Sequence, residues 1–357
     1  MERLSTTPGL HNGDIYTVYN DSADPAVTNI RNFISNWFET YPDAEKADLK
    51  ALFKVKFNHA FFELFIFQLF KALGYQLTVH PDLPDNHKHP DFLAEKGNEK
   101  FYLEAKFMEM KSQEEHGRER RQNALLDALN KINAANFLLC VESIDFKNGS
   151  QPNGKKIIRF FNDALAAHNP ETYREFLESD GYTKMPAIVY QDDTIIIKVK
   201  LMPKLAHLRG TKSRALASLP ADFKVGNDSE SIINALETKA TRYGKLSAPY
   251  IICLNKQAVS FDAHEMQEAL YGSNAGSGFF GTEQNPQFTR VSGVYMTNAN
   301  TANLTTAIHA FDRNFYAAFP AEFTLTSSIP EILYIPENYD SRKLPRLDSW
   351  SGGYVTA

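Results

Sequence analysis

Two short apolar runs joined at Gly97-Asn98 constrain this chain most. Phe92-Leu93-Ala94-Glu95 runs into Lys96-Gly97-Asn98-Glu99 and returns as Lys100-Phe101-Tyr102-Leu103-Glu104-Ala105-Lys106. A Gly-first pair between such runs predicts a two-residue hairpin turn. Centring the turn there sets 96 opposite 99, 94 opposite 101, and Asp91 opposite Glu104. Opposed residues have Cβ atoms about 4.5–5.5 Å apart, and like charges so placed destabilise a sheet. Two carboxylates this close need a cation between them. Tyr102, Glu104 and Lys106 alternate with Leu103, Ala105 and Phe107, so one strand face is apolar and the other carries ionisable groups. A few hard oxygen donors, with room left for water and phosphate, are what magnesium prefers. Lys106 shares the Glu104 face, where it balances the carboxylates and holds a water. The competing reading of the hairpin is an exposed Glu104–Lys106 ion pair, worth under about 1 kcal/mol.

The stretch Phe57–Phe70 is apolar nearly all round, which predicts a buried helix. Glu63 is its one carboxylate. An unpaired buried charge is costly, so Glu63 needs a partner, either the acidic site or a basic side chain beside it. His59, one helical turn earlier, reads as a core histidine that bonds to it.

A helix bearing Glu63, a strand, a strand opened by Pro90-Asp91, a strand ending Glu104-Ala105-Lys106, then a helix and a strand: this order resembles the core of the PD-(D/E)XK nuclease superfamily. That group holds restriction endonucleases, repair nucleases and junction resolvases. Of the three Pro-Asp pairs between 80 and 91, only Pro90-Asp91 leads into an apolar strand; Asp82 and Asp85 fall in a turn-rich loop. The likeness covers roughly residues 45–145. It implies an α/β fold with a restriction-endonuclease-like αβββαβ core and a mixed sheet. It also implies magnesium-dependent hydrolysis of DNA phosphodiesters, with manganese able to substitute. Asp91 and Glu104 would then be metal ligands, joined by the Ala105 backbone carbonyl. Lys106 would place the attacking water, and Glu63 would complete the site through metal or water. The alternative is a non-catalytic DNA- or protein-binding module that keeps the fold.

The expected DNA contacts are Arg118, Arg120 and Arg121 at the start of the helix after Lys106, weighed against neutralisation by Glu114, Glu115 and Glu119. A second basic stretch runs from Lys198 to Arg214. Gln122 on the same helix as the arginines and His89 at the mouth of the site are auxiliary candidates; His80, His87 and His89 otherwise read as loop histidines. A net charge of −5 argues against nonspecific coating of nucleic acid but leaves local patches open. Cys140 and Cys253 lie in apolar runs and read as reduced core residues. No apolar run reaches membrane-span length and no secretory pattern opens the chain, so a cytoplasmic protein is expected. The expected partners are DNA, a second copy of the chain, or a protein of a defence or repair system.

The expected organisation is a surface segment and helix over 1–40, the nuclease-like core over 41–205, and a connection over 206–228. An α/β accessory region over 229–330 would serve specificity, dimerisation or docking, ahead of a Pro- and Gly-containing tail over 331–357. Helices are expected over 27–40, 43–73 and 302–309, and a flexible glycine-rich loop over 272–281. That loop lacks a phosphate-binding signature.

Overall fold

The computed structural model describes residues 15–22, 25–84, 86–108, 113–211, 215–218, 229–244, 246–256, 263–273, 276–301, 303–304, 306–321 and 333. It opens with helices α1 (Ile15–Asp21), α2 (Pro25–Glu39), α3 (Lys46–Val55) and α4 (Phe57–Ala72). The single helix expected over 43–73 breaks at Lys56, whose φ of −143° and ψ of 68° are not helical. Its N–H closes α3 on Leu52 and its carbonyl starts α4 by accepting from Ala60. Nothing in the apolar pattern marks that break, because both helices need the same spacing. Residues 1–14 of the expected surface segment lie outside the described residues; α1 itself packs inward through Tyr19, which stacks on Phe57 at 5.0 Å and bonds to Thr301.

Three strands follow: β1 (Gln76–Val79), β2 (Phe92–Lys96) and β3 (Glu99–Met108). The hairpin has the register its turn predicts, with Lys96 opposite Glu99, Ala94 opposite Phe101 and Phe92 opposite Leu103. Gly97 holds φ +58°, where an L side chain would be strained. Rings tie α4 to this hairpin, Phe67 against Phe92 at 6.0 Å and Phe70 against Phe101 at 5.7 Å. The face carrying Leu103 and Phe107 is therefore packed by α4.

The next elements are α5 (Gln113–Leu129), β4 (Phe137–Phe146), α6 (Gly154–Ala166), α7 (Pro170–Asp180), β5 (Ala187–Gln191), β6 (Ile195–Pro203) and β7 (Leu216–Ser218). They form a compact unit of their own, with a four-stranded sheet ordered β5-β6-β4-β7. Its core gathers Leu125, Leu129, Leu139, Ile157, Phe161 and Ile197. Here the expected organisation is corrected: α5 and β4 do not complete the sheet that holds β3. The strand beside β3 is β8 (Tyr250–Lys256), reached through α8 (Ser229–Ala240). β8 runs parallel to β3 from Tyr102↔Tyr250 to Met108↔Lys256. A parallel neighbour needs a crossover segment, usually a helix, and two helix–strand pairs in this chain meet that need. Burial separates them. β8 is buried along its whole length, as a central strand must be, while β4 has exposed positions.

The chain continues through α9 (Ala263–Tyr271), the two-residue strands β9 (Gly272–Ser273) and β10 (Gly276–Ser277), then β11 (Gly293–Thr297) and β12 (His309–Arg313). The six-stranded sheet is ordered β1-β2-β3-β8-β11-β12, mixed parallel and antiparallel. Described residues between 15 and 108 and between 229 and 333 make up this unit. The expected accessory region is thus part of the same sheet as the hairpin. The described residues of the helix expected over 302–309 form turns leading into β12 instead. Asn298 accepts from the Ile308 N–H, and Thr297 donates to the Ile308 carbonyl, local bonds that compete with a helix. The glycine-rich loop is packed around its described residues: a Cβ on Gly278 would lie 2.3 Å from the Gly272 nitrogen, and Phe279 and Phe280 are buried. No helix among the described residues is long and apolar enough to cross a membrane.

Candidate active site

Asp91 immediately precedes β2, and continuing the hairpin register puts it opposite Glu104. Its Oδ2 accepts the Ala105 N–H at 2.7 Å, and its own carbonyl accepts the His80 N–H at 3.0 Å. Glu104 is completely buried, which rules out the exposed ion pair with Lys106. Its Oε1 takes the Lys239 ammonium and, at 3.2 Å, the Arg242 guanidinium; its Oε2 takes the Tyr243 hydroxyl. Lys239 lies in the last turn of α8, and Arg242 and Tyr243 follow it. On α4, Glu63 accepts the Tyr41 hydroxyl at 2.9 Å.

These three carboxylates form one electrostatic group. Burial pushes the Asp91 carboxyl well above the ordinary carboxylate range, helped by the charges of Glu104 and Glu63 and opposed by Lys239 and the Ala105 N–H. Burial also raises Glu63; the Tyr41 bond and His80 pull it back, and Glu104 and Glu45 add to the rise. The Tyr41 and Tyr243 phenols rise through burial and through the neighbouring carboxylates. Asp91 thus feels the charge of both Glu104 and Glu63, and Glu63 that of Glu104. Lys106 stands two residues beyond Glu104 on β3, part-buried, and lines a cleft of about 250 Å³ with Lys56, His59, Phe107, Met108, Ser231 and Ala235. Tyr102 and Met108, which share its strand face, pack with Ile232 and Leu236 of α8.

The donors suit a hard divalent cation in type: oxygen only, from carboxylates. As arranged here, both Glu104 oxygens are engaged by the segment 239–243. Among the described residues no group of three His, Cys, Asp or Glu side chains is disposed to hold a metal. Asp91 and Glu104 would fit an ion once Lys239, Arg242 and Tyr243 give up Glu104. Ala105, expected to offer its carbonyl, here presents its N–H to Asp91.

The remaining expected site residues fall elsewhere. Arg118, Arg120, Arg121 and Gln122 sit on α5, in the other unit, and the helix packed on β3 and β8 is α8. Arg118 and Arg120 are exposed, and the Arg121 guanidinium lies 5.7 Å over the Phe146 ring. His89 contacts the Pro81 carbonyl at 3.2 Å and Asp82 at 3.5 Å, so the preceding loop holds it. The second basic stretch is largely structural. Lys200 is buried on the Tyr182 and Thr183 carbonyls and on Glu142, Lys204 bonds to the Thr211 carbonyl, and Arg209 pairs with Glu171; Lys212 and Arg214 lie outside the described residues. The sequence reading missed Lys239, Arg242, Tyr243 and Tyr41. Basic residues at a helix C-terminus read as ordinary partners of the helix dipole. Only the β3–β8 pairing, formed across 111–224, turns them toward Glu104.

No family model matches the chain, and no curated protein and no solved structure matches it.

Proposed function

We propose that this chain is a metal-dependent nuclease that hydrolyses DNA phosphodiesters with a metal-activated water, in the manner of the PD-(D/E)XK group. The carrying observation is the convergence of Glu63, Asp91 and Glu104 into one coupled acidic group with Lys106 two residues along the same strand. The order α4, β1, β2, β3, α8, β8 supports it, giving αβββαβ with residues 111–224 as an insertion. Magnesium, or manganese in its place, supplies Lewis-acid polarisation of the phosphoryl oxygen and a bound water of lowered pKa. Asp91 and Glu104 would hold the ion, with the Ala105 carbonyl and Glu63 in support. Lys106 orients the attacking water and offsets charge that builds on the phosphate. Glu63, whose carboxyl burial raises above its ordinary range, would complete the site through metal or water. Restriction or phage defence is the favoured setting, with repair next, and DNA and a second copy of the chain the favoured partners.

A specific observation favours a second reading: Glu104 is saturated by Lys239, Arg242 and Tyr243. Were that permanent, the chain would be a binding module that keeps the fold. One experiment separates the two. Plasmid and linear DNA are incubated with magnesium or manganese, beside EDTA controls and the Asp91→Ala and Lys106→Ala proteins. Metal-dependent cutting, reduced about 100-fold or more in both variants, is the expected result. No cutting by any folded form, with no metal bound in calorimetry, would overturn the enzyme reading.

A further inference from the structure

We propose that the cleft lined by Lys56, His59, Lys106 and Ser231 binds a phosphate group. The cleft brings together two lysines, a histidine and a hydroxyl, with no carboxylate among its described lining residues. Phe107, Met108 and Ala235 supply its apolar lining. His59 is held in place against the Phe107 ring at 5.2 Å.

The break between α3 and α4 is what puts Lys56 here. As the residue preceding α4, Lys56 offers no side-chain acceptor to the helix, and the first turn of α4 contains no acid. The positive end of this 16-residue helix thus receives no side-chain cap from Lys56 and no acid from its own first turn. Ser231, in the first turn of α8, adds a hydroxyl from a second element. Donors that converge from α4, β3 and α8 suit a tetrahedral anion with several acceptor oxygens better than a planar carboxylate.

The source of the phosphate rests on the proposed function. Lys106 lines the cleft and, in the proposed function, serves the acidic site; Glu104 is about 6.6 Å from it along the strand. A phosphate seated here would be that of a nucleic-acid strand passing the carboxylates. The cleft itself needs no metal, so it is tested separately.

The test has two arms, both in EDTA with the full chain. In the first, the melting temperature is followed against inorganic phosphate and pyrophosphate, with sodium chloride at matched ionic strength as reference. A saturable rise is expected for the unaltered protein, and Lys56→Ala with His59→Ala should weaken it roughly tenfold or more. Lys54→Ala, on the exposed face of α3, is the charge control. No saturable rise, or an unchanged one in a double variant with native circular dichroism, overturns the inference. In the second arm, 5′-phosphorylated and unphosphorylated oligonucleotides are bound at several salt concentrations. Lys56→Ala should lower the salt slope by about one; preference for the phosphorylated strand marks a terminal phosphate, and equal binding an internal one. Phosphate binding without DNA binding would keep the cleft as a free-phosphate site and remove the nuclease reading. DNA binding indifferent to the cleft variants would do the reverse.

Discussion

Asp192 in the four-stranded unit and Asp91 in the six-stranded one are both aspartates at strand ends, and their surroundings are opposite. Asp192, at the β5–β6 turn, accepts from the Tyr190 hydroxyl, the Thr194 N–H and hydroxyl, and the Ile195 N–H. The Tyr190 bond first, then those from Thr194, hold its carboxyl well below the usual range. Asp91 has the Ala105 N–H and lies close to two more carboxylates, and burial drives it up. Lys200 and Lys239 repeat the contrast. Lys200 is spread over two carbonyls and Glu142, as a fixed structural bond would be, while Lys239 stands on a carboxylate that a metal would also claim. Charge that is fully met builds structure. Charge that is only partly met stays perturbed, a pattern found often at functional sites and also in structural ion-pair networks.

The sharpest way to break this comparison is to remove Lys239. Lys239→Met leaves Glu104 buried with Arg242 and Tyr243 alone, and should cost about 3 kcal/mol in urea denaturation with EDTA present. Manganese should recover part of that loss, because the ion meets no competing ammonium. An unchanged midpoint would mean that Glu104 does not depend on α8. Next in size, Asp192→Ala should cost about 1–2 kcal/mol by the same measurement. A carboxyl with lowered pKa contributes stability above about pH 4 that is lost as pH falls through its folded value. The Asp192→Ala penalty should therefore shrink in acid; a penalty independent of pH would point to packing instead.

Asp91→Asn should act in the opposite sense. A raised carboxyl costs stability as pH rises from about 4 through its folded value, so the amide variant should be more stable at pH 7.5 by about 1 kcal/mol. That gain should fade toward pH 4, while DNA cutting is abolished throughout. A variant less stable than the parent at pH 7.5 would place Asp91 with Asp192 as a structural residue. The smallest effects belong to Arg118→Ala and Lys198→Ala, exposed in the four-stranded unit. Each should shift stability by less than about 0.5 kcal/mol, and a DNA-affinity loss in either would revive the basic stretches as contacts.

The hairpin was legible because its determinants are local. Gly97 sets the turn, the turn sets the register, and the register sets Asp91 opposite Glu104. Glu63 was legible as the odd carboxylate in an apolar helix. What could not be read was which strand lies beside β3. The runs around Cys140 and Cys253 are alike as sequences, and only burial on both faces singles out the second. That ambiguity moved the expected DNA-contact helix to α5 and hid Lys239, Arg242 and Tyr243. The break at Lys56 was hidden for a different reason: two helices in succession share one hydrophobic period.

The β3–β8 seam also imposes a schedule. Glu104 and Tyr243 are 139 residues apart in the chain, and synthesis proceeds at about 5–20 residues per second. For roughly 7–30 seconds the acidic hairpin of each new chain exists without the strand that encloses it or the side chains that neutralise it. The unit formed by residues 111–224 is synthesised in that interval, ahead of the strand that pairs with β3.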